Sequence, residues 1–93
     1  MSEPDYLTYG DSGECKITLT SVLTLVTSVT VSELTMREPT VDDQIVHDEM
    51  RGSDALREVT MFANLCEIAP DDIRKLSLKN YRRLQEAYQG FLD

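Results

Sequence analysis

The sequence predicts an α+β fold: a small N-terminal antiparallel β-hairpin or meander followed by three to four α-helices. Three observations carry this reading. Between Ile17 and Met36 apolar residues alternate with Thr, Ser or charged residues, the period of two that lines one face of a sheet. Beyond Pro39 they recur instead at steps of three and four, the period of a helix face. Between the two regimes lies Ser32 to Asp43, where Leu34 and Met36 still alternate. There Pro39 biases Glu38 towards an extended backbone and ends the strand.

The chain divides into an acidic arm, residues 1–14, and a single α+β domain, residues 15–93. The arm holds Pro4, Gly10 and Gly13 among acids and hydroxyls without a sustained apolar period, so it is expected to be mobile. Tyr6, Leu7 and Tyr9 are its exceptions. Ile17 and Leu19, then Leu23 and Leu25, then Val29 and Val31 alternate with threonines, and the branched residues suit a pleated surface. Thr27-Ser28 is the expected turn between two of these runs, although it lacks the Gly or Asn of a tight hairpin. The apolar phase passes from odd positions at Val29 and Val31 to even ones at Leu34 and Met36. That shift predicts a bulge near Ser32-Glu33. Two or three strands do not stand alone, so the sheet must lie on helices or on another subunit.

Thr40 is placed to cap a helix from Val41 to about Arg51, with Asp43 at the capping-box position and Gly52 as the stop. Val41, Ile45, Val46 and Met50 are its apolar residues. Ser53 caps a second helix in which Leu56, Val59, Phe62, Ala63 and Cys66 form the strongest helical period of the chain, which makes it the core helix. Pro70 opens a short helix with Asp71 and Asp72 at its positive end. Ser77 caps the last helix, whose stripe is Leu78, Tyr81, Leu84, Tyr88 and Phe91, opposite Lys79, Arg82, Arg83 and Glu86.

At 93 residues the chain can bury about 60–65 per cent of its unfolded surface, so a partner is one way to complete its core. No apolar run approaches the roughly 20 residues of a membrane span, and the acidic start is not a secretory signal. A cytoplasmic protein is expected. Cys15 and Cys66 show no framework or metal spacing and read as buried or incidental thiols. The formal net charge of −8 argues against general nucleic-acid binding. Five of the nine basic residues, Arg74, Lys75, Lys79, Arg82 and Arg83, crowd into the last quarter. They are candidates for self-association with the acidic front of another molecule, or for an ordinary solvated face.

Chemistry is hard to find. His47 is the only histidine, the Asp42-Asp43 and Asp71-Asp72 pairs fall in first helical turns where capping explains them, and the four glycines build no phosphate loop. No catalytic, cofactor or metal site is expected. The pattern favours a protein that acts by binding.

Three segments in order, Glu33-Leu34-Thr35-Met36-Arg37-Glu38-Pro39-Thr40, Pro70-Asp71-Asp72-Ile73 with Leu76, and Tyr81-Arg82-Arg83-Leu84, resemble the tail assembly chaperones of contractile-tailed phages and prophages, the gene product E or Mu-type family. The similarity runs from about Ile17 to Leu92. It implies a chaperone of the host cytoplasm that binds the tape measure protein, keeps it soluble during tail morphogenesis and is absent from the mature virion. It also implies a longer form of the same protein made by ribosomal frameshifting near Phe91-Leu92, and it brings no catalytic residues. For a helical client the candidate contacts are Tyr81, Leu84, Tyr88 and Phe91, unless that stripe packs on the second helix. The alternative from another class is an acidic phage-encoded inhibitor that mimics DNA, which the net charge permits and the cationic last helix opposes.

Overall fold

A computed structural model describes residues 4–93. Strands β1 (Leu7–Tyr9), β2 (Cys15–Thr24) and β3 (Thr30–Met36) precede helices α1 (Val41–Glu49), α2 (Asp54–Cys66), α3 (Pro70–Arg74) and α4 (Leu78–Leu92). The α+β class and the strands-then-helices order are those expected. The sheet is an antiparallel meander in the order β1-β2-β3. Its alternation sorts the side chains: Cys15, Ile17, Leu19 and Leu23 of β2 and Leu34 and Met36 of β3 are buried, while Lys16, Thr18, Thr20, Glu33 and Thr35 face solvent. On the inner face Phe62 and Leu65 of α2, Ile73 of α3, and Leu84 and Ala87 of α4 complete a two-layer core.

The three serine and threonine caps form as expected. Thr40 accepts from the Asp43 N–H and Asp43 returns to the Thr40 N–H; Ser53 accepts from Leu56 and Ser77 from Asn80. The end of α2 had no signal in sequence. Glu67 takes the left-handed conformation (φ 56°) usually given to glycine, and the Ile68 N–H closes the last turn on the Ala63 carbonyl.

Two sheet features refine the expectations. Between the pairs Thr18–Glu33 and Leu23–Val31 lie four residues of β2 and only Ser32 of β3, so the irregularity is at the expected height but its surplus is in β2. At the hairpin the Ser28 N–H bonds the Leu25 carbonyl, the Leu25 N–H bonds Val29, and Ser28 has φ 72°. This is the three-residue loop closed by a left-handed residue, a position that Gly normally fills.

The arm expectation is corrected at Leu7–Tyr9. These residues pair with Cys15–Ile17, and Leu7 is 5% exposed. A strand of three residues has too little pattern to be read as one, and it is the tertiary partners of Tyr6, Leu7 and Tyr9 that order it. The stripe of α4 is also corrected. Leu78 is exposed, and Asn80, Leu84 and Ala87 are the buried residues, so the inward face is turned by about one side chain from the apolar count.

Candidate interaction surfaces

The inward edge of β2 shows what the polar residues of α3 and α4 do. Only the first part of that edge is paired by β1. Further along, the Arg83 guanidinium donates to the Thr18 carbonyl at 2.6 Å, Asn80 Oδ1 accepts from the Thr20 N–H at 2.9 Å, Lys75 Nζ donates to the Thr24 carbonyl, and Asp72 Oδ1 accepts from the Val26 N–H at 2.8 Å. Four side chains thus stand in for a missing strand, satisfying backbone groups that would otherwise template another chain. Asp72 and Asn80 are 1% and 2% exposed. Sequence reasoning took Asp72 as a helix-end acid; besides serving the Ala69 N–H at 3.3 Å it ties the hairpin to α3. The missed signal is an Asn at a core-facing position of a helix, where a polar residue requires a partner.

Of the five basic residues proposed for self-association, Lys75 and Arg83 are therefore engaged within the chain, and Arg83 also lies over the Tyr6 ring at 4.0 Å. Arg74, Lys79 and Arg82 are exposed and make no ion pair among the described residues.

The four residues proposed as client contacts separate in the same way. Leu84 is fully buried. Tyr81 and Tyr88 are half-buried and pack on Phe62 at centroid distances of 5.7 and 5.8 Å. Burial, with a hydrogen bond to Glu58, pushes the Tyr81 phenol above its ordinary range. Phe91 meets Tyr9 edge-on at 5.3 Å, and the Tyr9 hydroxyl donates to the Ala87 carbonyl at 2.9 Å. Gly90 makes this seat, because a Cβ there would lie 2.0 Å from the Tyr9 oxygen. The N-terminal segment thus covers one end of the stripe, and the Tyr6 hydroxyl donates to Glu86 at 2.7 Å. An open cleft of about 450 Å³ remains beside it, lined by Leu7, Tyr9, Glu86 and Gln89.

The exposed apolar side chains lie elsewhere. Val22, Val26 and Val29 stand out around the β2–β3 hairpin, and Val41 and Ile45 on α1 are 79% and 50% exposed. No residue of α1 is buried. The helix is held by its other side, where Asp43 receives both Arg37 nitrogens at 2.7 and 2.8 Å. That pair holds the Asp43 carboxyl well below the usual carboxylate range. Val41 and Ile45 lie opposite Asp43 on the helix and turn to water.

Cys15 and Cys66 are both buried thiols, and burial pushes Cys66 up to about 12. Among the described residues no group of three His, Cys, Asp or Glu side chains is arranged to hold a metal, and no helix is long and apolar enough to cross a membrane. What the geometry offers is surface: a guarded sheet edge, a partly covered aromatic stripe, and apolar side chains on α1 and the hairpin.

A family model described as phage tail assembly chaperone proteins, E, or 41 or 14, matches residues 16–93, and the chain belongs to that family. No curated protein and no solved structure matches the chain. The match starts at Lys16, so β1 and the tyrosines around it lie outside the matched region.

Proposed function

We propose that this protein binds the tape measure protein of a contractile-tailed phage in the host cytoplasm, keeps it soluble while the tail is built, and leaves before the virion is complete. The observation that carries this reading is the family match over residues 16–93. The surface supports it in kind. A holdase for a long, aggregation-prone helical client needs apolar side chains at its own surface, and Val22, Val26, Val29, Val41 and Ile45 supply them. Of the contacts expected on α4, Tyr81, Tyr88 and Phe91 keep partial exposure and Leu84 does not.

The experiment is co-expression with the tape measure protein of the same phage, with and without this chain, followed by co-purification. Client that is soluble and retained only in the presence of the chain supports the reading. Client that stays insoluble and unbound, with both this chain and its frameshifted longer form supplied, overturns it. Val26→Ser with Val29→Ser, compared with Tyr88→Ala, then maps which surface the client uses.

A further inference from the structure

We propose that a second copy of this chain docks head-to-tail, the outward face of α1 in one molecule seating on the basic shoulder where α3 meets α4 in the next. Both halves of the contact are visible on one chain. On α1, Val41 and Ile45 are one turn apart on the solvent side, with the exposed acids Asp42, Asp48 and Glu49 around them. This face needs no rearrangement to bind, because the capping box and the Arg37–Asp43 pair fix the helix from the opposite side. At the shoulder, Leu78 is 73% exposed at the start of α4, and Arg82 lies one turn on, with Lys79 beside it and Arg74 at the end of α3. Each patch has an apolar centre and charges mostly of one sign, acidic on α1 and basic on the shoulder, where the exposed Asp71 lies one turn before Arg74.

Complementarity decides the geometry. Pairing either patch with its own copy sets like charges together, so a two-fold dimer through one patch is disfavoured, whereas acid on base joins different faces and repeats. The net charge of −8 per chain opposes association. At physiological salt the screening length is about 8 Å, short against the 33 Å extent of the molecule, so whole-molecule repulsion is screened more than the charges that touch. Each patch centres on one or two apolar side chains, far fewer than the roughly 20 to 30 residues a side of a stable complex, so the association is weak and concentration-dependent. Lys75 and Arg83 take no part, being occupied on β2.

Sedimentation velocity of the full chain, from low to high micromolar concentration at physiological salt, tests the proposal. The native protein is expected to sediment faster as concentration rises and to grow beyond a dimer. Two variants each remove one half. Asp48→Asn with Glu49→Gln neutralises the α1 face, and Lys79→Gln with Arg82→Gln neutralises the shoulder; neutral replacements create no new complementary pair in a mixture, and circular dichroism confirms that each variant keeps the native helix content. Each variant alone is expected to associate at least tenfold more weakly. Mixed together, the two retain one intact acidic face and one intact basic face, and they form a 1:1 complex and nothing larger. A native chain that stays monomeric at high micromolar concentration, variants that associate as the native chain does, or a mixture that stays monomeric overturns the proposal. The chaperone reading is unaffected by that outcome; if tape measure protein binds the native chain but not the α1 variant while the native chain is monomeric, the α1 face belongs to the client.

Discussion

Helices α1 and α2 both carry apolar residues at helical spacing and are both opened by a hydroxyl cap, yet they have opposite fates. The second half of α2 supplies Met61, Phe62, Ala63, Leu65 and Cys66 to the core, whereas α1 buries no residue and turns Val41 and Ile45 to water. A hydrophobic period states that an apolar face exists; it does not state what covers it. For α1 the stronger local claim is polar. The bidentate Arg37–Asp43 pair and the capping box orient the helix, and its stripe goes where they leave it. Nine residues without core burial make a marginal helix on their own, so these contacts are what hold it.

The largest expected effect breaks the comparison from the core side. Phe62→Ala removes a fully buried ring touching Tyr81 and Tyr88 and should cost about 3–5 kcal/mol in urea unfolding, whereas Ile45→Ala should change stability by less than about 0.5 kcal/mol. Equal effects from the two would show that α1 is packed in solution.

Next comes the guarded edge. Asn80→Ala leaves the part-buried Thr20 N–H without its acceptor and should cost about 1–2 kcal/mol, a loss that Asn80→Asp, retaining the oxygen, should partly avoid. Hydrogen exchange of the Thr20 amide checks the cause: it should accelerate in Asn80→Ala beyond the change seen at Ile17.

A smaller effect isolates α1. Asp43→Asn should cost about 1 kcal/mol, because Arg37 is 43% exposed and solvent screens the pair, and the loss should fall mainly on the exchange protection of α1. Its pH dependence has a fixed sign. The Arg37 hydrogen bonds, and then those from Thr40, hold the folded carboxyl below its unfolded value. The stabilisation is therefore fully present above the unfolded pKa of about 4 and is lost as pH falls towards the folded value. The native chain should exceed Asp43→Asn in stability at pH 7, with the gap closing only well below pH 4. A gap independent of pH across that range would show that the charge is not what orients the helix.

The smallest effect is a gain. Ser28→Gly relieves a left-handed residue at the hairpin and should raise stability by about 0.5–1 kcal/mol in the same urea titration. Its value to the comparison is as a control, since it alters neither α1 nor α2.

Much of this architecture was legible before any coordinates. Alternation at Ile17, Leu19, Leu34 and Met36 marked the inner sheet face, the period from Phe62 to Cys66 marked the core helix, and Thr40, Ser53 and Ser77 marked three helix starts, because caps and periods are local and their physics acts within a few residues. The family resemblance was legible for the same reason, in short ordered segments. Three things were not. β1 is too short to show a period and forms because β2 offers an edge and α4 offers Gly90 and Phe91 to Tyr9. Asn80, Asp72, Lys75 and Arg83 guard the rest of that edge from positions whose partners lie 46 to 65 residues away. And α1 carries its apolar stripe outward, a direction that its period does not state. Sequence determined which segments become strands and helices and which residues are apolar on each; only tertiary structure decided which apolar face is covered and which backbone edge is closed, because those outcomes depend on which distant groups compete for the same space.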